Sequence, residues 1–464
     1  MPDKRIDEAV VRSLRQQMGD HVLAPGDAGY DDARHIWNGR FDRRPGAIAR
    51  CRDAADVKMA VDLARDAGLL PAVKSGGHDY AGNSMCDDGL VIDLSRMNDV
   101  AVDADARTVR VGPGARWADV DRETQAFGLV TTGGTVSSVG VAGFTLGGGT
   151  GHLVRKYGLA LDNLLSVDVV TAGGERLRAS EQEHADLFWG LRGGSGNLGI
   201  VTSCELRLHD LGTEILAGQI IHPLEAAREA LRFYRGFMAD APDDVQCYAF
   251  FIRIPPVSPF PESLHGKVAV DLVVSHAGRA ALGGKVLGPL RGFGRPVLDT
   301  VSLVPYVALQ QAFDAGMPAG NRWYSRAHYL AELTDAAIET LVSRVEELPG
   351  AFTMVYLEAQ GGAIARVAAD ATAFPHRDAQ FALHIFPGWT QASDDEAMID
   401  WARAFHRDMQ PHATGGAYVN MLAEDEPDGP QRAYGANRSR LSQLKRRFDP
   451  GNLFRLNHNV EPSS

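Results

Sequence analysis

The chain has 464 residues, more than one ordinary core accommodates, so two or three domains are expected. Its 47 basic and 59 acidic residues leave a net charge of −12, which opposes a nucleic-acid backbone or an anionic membrane surface, so neither is expected as a partner. Cys51, Cys86, Cys204 and Cys247 have no paired spacing, which argues against a disulfide framework and a zinc site, and no apolar run is long enough to span a bilayer. The expectation is a metal-free, soluble, cytoplasmic protein.

The first twenty residues, "MPDKRIDEAVVRSLRQQMGD", lack the apolar core of a signal peptide and read as a short amphipathic helix. From about 45 to 210, short β-branched runs alternate with glycine-rich turns. One clear helix, "AADVKMAVDLARDAG", carries Val57, Ala60, Val61 and Ala64 on one face and stops at Gly68. Strands are predicted at "LPAVKS", "GLVIDLS", "TVRVGPG", "LLSVDVVTAGG" and "IVTSCELRL".

Residues 211 to 417 carry the strands "HGKVAVDLVVSHAG", "AFTMVYLEAQ" and "QFALHIFPGW" between helices such as "DAAIETLVSRVEEL" and "DDEAMIDWARAFHRDM". That pattern suits an antiparallel sheet with helices packed on one face. From 430 a helix, "QRAYGANRSRLSQLKRRF", ends at Asp449 and Pro450, and "GNLFRLNHNVEP" reads as a docking segment. The fold class is therefore α+β, divided at 1–210, 211–417 and 418–464.

Three glycine-rich turns, near residues 76, 147 and 194, point to a cofactor approached closely by backbone. In "PAVKSGGHDYAGNS", Gly76, Gly77 and Gly82 free the backbone to converge on an anion around the single imidazole of His78. "GGSGNLG" matches G-x-G-x-x-G literally, but its strand follows the glycines, so it is not the dinucleotide fingerprint. "VGVAGFTLGGGTGHLVRKYGL" lacks the Gly-Lys-Ser/Thr of a P-loop.

Taken together, "RCRDAADV", "AVKSGGHDYAG", "GLVIDLSRMN", "VGPGARWADV", "GGGTGHLVRKYGLALDNL" and "DLFWGLRGGSGNLGIVT" resemble the FAD-binding domain of the vanillyl-alcohol-oxidase type. "TAFPHR" and "YGANRSRLSQLKRRFDPGNLFRLNHNV" resemble the berberine-bridge-enzyme-like branch, and the likeness runs from about 37 to 461. The resemblance implies a two-domain FAD-binding fold whose substrate domain is an antiparallel sheet covered by helices. It implies FAD bound covalently through His78. The expected cofactor site comprises Lys74, Ser75, Gly76, Gly77, His78, Asp79, Gly82, Thr135, Val139, Gly143, Gly147, Gly148, His152, Ile200, Asn457 and Asn459.

Many members carry a second tether on a cysteine, where this chain has Val136, so a single covalent bond is expected, as in relatives of 6-hydroxynicotine oxidase. Val139 occupies the family's oxygen gatekeeper position, which favours an oxidase using dioxygen. Asp79 replaces the usual serine after the histidine. Tyr434 matches the second tyrosine of the family's "YYG" and is the first choice for proton transfer near the flavin N5, with Tyr418 commonly lining the same site. His384 falls near the position of a Gln or Glu base and reads equally well as a packed or exposed histidine, whereas Tyr356, Phe386 and Trp389 read as core packing. The implied activity is hydride removal from a C–OH or C–N centre of a small organic substrate, by a monomer or homodimer. The alternative is a flavoprotein that sequesters a drug-like metabolite without turnover.

Overall fold

A computed structural model describes residues 5–464; residues 1–4 of the expected N-terminal helix lie outside them. That helix forms at Glu8–Met18, where the Asp7 carboxylate accepts the Val10 N–H and satisfies an amide that the first turn leaves free. Leu14 and Met18 turn its apolar side onto the helix Ala54–Ala67 and the strand Ala47–Arg50. The second helix follows its sequence pattern. Asp53 caps the Ala55 and Asp56 amides, Gly68 ends it in the left-handed conformation, and Val57, Ala60, Val61 and Ala64 are fully buried.

Two sheets are built before residue 210. In the first, Ala47–Arg50, Leu90–Asp93 and Pro71–Lys74 run parallel, with Val22–Leu23 antiparallel at one edge. The second is antiparallel in the order Val100–Asp103, Thr108–Val111, Ile200–Arg207, Leu164–Val170, Arg176–Ser180. Helices beyond the one expected, Trp117–Gln125, Val141–Gly147 and Ala185–Leu191, connect these strands.

The third sheet is antiparallel and large, with central strands Glu214–Pro223, Val268–His276, Val245–Arg253, Met354–Ala359, Phe381–Phe386 and Arg326–Leu330. One of its faces, with Val270, Leu272, Ala249, Phe251, Leu357 and Leu383, packs under the helices Ala227–Asp240, Ala280–Gly292, Asp335–Val345 and Asp395–Met409. Strand alternation sends Phe250, Tyr356, His384 and Phe386 to the other face. That face looks towards the glycine turns.

The C-terminal segment departs from the expected single helix. It forms Gly429–Tyr434 and Arg438–Phe448, separated by a tight turn at Gly435–Asn437 where Gly435 has φ +47°. After Phe448 the Asp449 carboxylate accepts the Leu453 and Phe454 amides, and the fully buried Lys445 ammonium donates to Asp449, to Asn197 O and to Phe454 O. This pair fastens the last residues to the turn at Ser195–Asn197. All four cysteines are buried and unpaired. No helix among the described residues is long and apolar enough to cross a membrane, and no group of three or more metal-ligating side chains is found among them.

Candidate active site

A cavity of about 320 Å³ lies between the glycine turns and the free face of the third sheet. Its floor starts where the strand Pro71–Lys74 ends and the chain turns through Ser75–Asp79. A Cβ on Gly76 would stand 2.5 Å from Gly140 Cα, and one on Gly140 2.7 Å from Gly76 Cα, so only two glycines let these backbones touch. The Ser75 hydroxyl donates to Pro113 O and fixes the start of the turn.

His78 stands at the end of this turn, its ring stacked on Trp37 at 3.9 Å and 18°. Its Nε2 is buried and has no hydrogen-bond partner. Burial pushes its pKa down to about 3, so the imidazole is neutral and nucleophilic at ordinary pH. The Asp79 carboxylate is turned back on its own loop, accepting the Ala81 amide at 3.0 Å and the Ser84 amide at 2.7 Å, while burial raises its pKa. It stabilises the turn rather than replacing a serine hydroxyl.

The opposite rim is held by Asn197. Its Nδ2 donates to Gly194 O at 2.9 Å, to the Tyr434 hydroxyl at 3.2 Å and to His458 O at 3.3 Å, and its Oδ1 accepts the Val460 amide. This arrangement delivers Asn457 and His458 to the cavity. Asn457 Nδ2 donates to Gly196 O and Phe454 O, leaving its buried Oδ1 unpartnered, and burial holds the His458 pKa at about 4.

The structure brings Ser75, Gly76, Gly77, His78, Asp79, Thr135, Val139, Gly143, Ile200, Asn457 and Tyr418 together around the cavity. Several other candidates do different work. Lys74 donates to Ala33 O at 2.7 Å and His35 O at 3.0 Å, tying the strand to the preceding segment. Gly82, at φ +73°, makes room for the Phe41 ring. Gly147 and Gly148 make room for Asn420 and Tyr418, since added Cβ atoms would stand 1.9 Å from Asn420 Oδ1 and 2.9 Å from the Tyr418 ring. His152 lies outside the lining, edge-on to Tyr248 at 5.6 Å, and Asn459 is likewise outside it.

Tyr434 is corrected most sharply. Its phenol is 1% exposed, borders no part of the cavity, and spends its hydrogen bonds on Asn197, Gly194 O and His458 O. Tyr418 does line the cavity, and its oxygen accepts Gly149 N–H at 2.8 Å and Asn420 Nδ2–H at 3.0 Å, which leaves the phenolic proton for a third partner. Burial nonetheless raises its pKa, so the group is a neutral phenol.

His384 sits one layer behind the wall. Its ring stacks on Tyr356 at 4.4 Å and 16°, and its Nε2 lies 3.6 Å from the Glu358 carboxylate, with both side chains almost completely buried. Both His384 nitrogens and Glu358 Oε1 lack hydrogen-bond partners. Glu358 was missed in the sequence. Its cue was a carboxylate on an otherwise apolar strand, in the same alternating set as Met354 and Tyr356. Tyr356 and Phe386, expected in the core, form cavity wall with Phe250, Phe313, Met317 and Met354.

A backbone cradle closed at one end by an unpartnered neutral histidine and at the other by an unpartnered asparagine oxygen, facing an aromatic wall on a separate sheet, fits FAD. The molecule belongs to the FAD-dependent oxidoreductases. A family profile described as FAD binding domain matches residues 45–180, and one described as berberine and berberine like matches 417–461. The chain is 33% identical to (R)-6-hydroxynicotine oxidase of Paenarthrobacter nicotinovorans, over 95% of this chain and 96% of that one. It is 30% identical to an FAD-linked oxidoreductase of Dictyostelium discoideum, over 92% and 91%. The crystal structure of 6-hydroxy-D-nicotine oxidase from Arthrobacter nicotinovorans superposes with TM-score 0.86 at 29% identity, covering 96% of this chain and 99% of that one. Berberine bridge enzyme in complex with (S)-reticuline shares the fold, with TM-score 0.86 at 20% identity over 99% and 100% of the two chains. The chain is a member of the berberine-bridge-enzyme-like branch of the vanillyl-alcohol-oxidase superfamily, an FAD-linked oxidase.

Proposed function

We propose that the protein carries FAD covalently on His78 and oxidises a C–OH or C–N centre of a small, planar, uncharged or cationic substrate, with dioxygen as acceptor. Residues 1–210 and 418–464 are the cofactor-binding part of this reading and 211–417 the substrate part. The observation that carries the tether is the buried, unpartnered Nε2 of a neutral imidazole at the end of the glycine cradle. None of the four cysteines lines the cavity and Val136 does, so one bond is expected.

The substrate class follows from the wall. Phe250, Phe313, Met317, Met354, Tyr356 and Phe386 offer ring faces and thioethers, with no lysine, arginine or glutamate in the lining and its one carboxylate, Asp79, already bound to backbone. Such a surface rewards a flat apolar ring and gives a sugar or a carboxylate too few polar partners to offset desolvation. The bound cofactor supplies a two-electron acceptor. Tyr418 positions the reacting hydroxyl or amine by its free proton, and the His384–Glu358 pair behind Tyr356 takes up the proton that leaves.

Acid precipitation tests the tether. Wild-type protein is expected to keep its flavin in the pellet, a digest should attach it only to the peptide containing His78, and His78→Ala should release it. Flavin wholly in the wild-type supernatant refutes the covalent reading. Turnover is tested with a panel of aromatic alcohols and amines under air. Peroxide release distinguishes an oxidase from a protein that merely binds its ligand.

A further inference from the structure

We propose that Trp37 is the positioning residue for attachment of FAD to His78, an inference that rests on the covalent reading above. No hydrogen bond holds the buried His78 Nε2, so beside the contact of the imidazole with its own backbone the direction of that nitrogen rests on ring packing. The closest ring is Trp37, stacked at 3.9 Å and 18°; Tyr80 stands edge-on at 6.1 Å. Trp37 is itself fixed from both sides of the cavity. Its backbone amide donates to Gly77 O at 2.9 Å, its carbonyl accepts the Gly320 amide at 3.0 Å, and its Nε1–H donates to Met317 O at 3.1 Å. Trp323 stacks on it at 4.9 Å and 13°, and Phe386 on Trp323 at 5.4 Å and 21°.

Attachment joins an imidazole nitrogen to the methyl carbon on the benzenoid ring. One N–H and one C–H bond are lost, and the two electrons released pass through the ring system to dioxygen, which leaves with the two protons as hydrogen peroxide. The protein's part is to present a neutral nitrogen at a fixed angle. Such alignment is worth on the order of a hundredfold per ångström of misplacement. Trp37 supplies it by denying the imidazole any rotation away from the cavity.

The experiment compares wild type, Trp37→Phe, Trp37→Leu and Trp323→Leu, measuring total FAD in the native protein and the fraction that survives acid precipitation. Trp37→Phe, which keeps a stacked ring, should attach most of its flavin. Trp37→Leu should hold FAD natively but lose most of it to the acid supernatant, about a tenfold fall in the acid-stable fraction or more. Trp323→Leu removes one ring that packs on Trp37 but leaves the three Trp37 hydrogen bonds, to Gly77 O, the Gly320 amide and Met317 O, and the His78 stack itself, so flavin should remain attached, which separates positioning from general loosening. Equal acid-stable fractions in Trp37→Leu and wild type, or equal losses in the two leucine variants, overturn the proposal. An acid-labile wild type overturns the tether itself, and the proposal with it.

Discussion

Tyr434→Phe separates resemblance from geometry. Removing the hydroxyl deletes three long contacts, to Asn197 Nδ2 at 3.2 Å, His458 O at 3.3 Å and Gly194 O at 3.5 Å. Asn197 Nδ2 retains Gly194 O and His458 O as acceptors, so no buried donor is stranded. The cost should therefore sit within the ordinary range for one hydrogen bond, about 0.5–1.5 kcal/mol. A calorimetric midpoint lower by a few degrees at most is expected, with FAD content unchanged. A group in contact with the reacting atoms contributes about a hundredfold to ten-thousandfold in rate. Because this phenol faces the 194–197 turn instead of the cavity, anaerobic flavin reduction in Tyr434→Phe should stay within about twofold of wild type. A tenfold slowing at full FAD occupancy refutes the assignment and returns Tyr434 to the chemistry.

Tyr418→Phe should behave oppositely, slowing anaerobic reduction by at least about tenfold and, because it strands the buried Gly149 N–H, lowering stability by about 1–3 kcal/mol in chemical denaturation. Val139 borders the cavity, so Val139→Leu should slow reoxidation in oxygen-mixing experiments while anaerobic reduction remains near wild type; equal oxygen rates place the gate elsewhere. Lys445→Met leaves the Asp449 carboxylate buried without its counter-ion, removes the Lys445 donor from Asn197 O and leaves Phe454 O with Asn457 Nδ2 alone, a loss of about 3–5 kcal/mol. Thermal midpoint and FAD content should fall together, since the same segment carries Asn457 and His458 into the cavity.

What was legible in the sequence was local. The helix Ala54–Ala67 announces its face and its Gly68 stop within fifteen residues, and the structure keeps both and adds the Asp53 cap. The parallel pairing of Ala47–Arg50, Leu90–Asp93 and Pro71–Lys74 joins strands out of chain order, so no local pattern encodes it. The same limit applies to the wall. Alternation places Tyr356, His384 and Phe386 on one face, but an apolar face that meets a cavity has the same composition as one that meets a helix. Only the assembled sheets show that the face with Leu357 and Leu383 is covered while the face with Tyr356 and Phe386 is not.

The glycines carry the same lesson at finer scale, because the group that approaches the backbone differs from one turn to the next. A glycine-rich turn reports that something approaches the backbone closely, without reporting what. At Gly76 and Gly140 the approaching group is another main chain, and the two together form part of the cavity floor. At Gly147 and Gly148 it is the side chains of Asn420 and Tyr418, which arrive from a segment about 270 residues away. Those glycines act on the site indirectly: a Cβ at Gly148 would displace the Tyr418 ring, and with it the phenolic oxygen held by Gly149 N–H. Close approach at 147–148 thus serves the part of the cavity lined by Tyr418, and close approach at 76 and 140 serves the part that ends at His78.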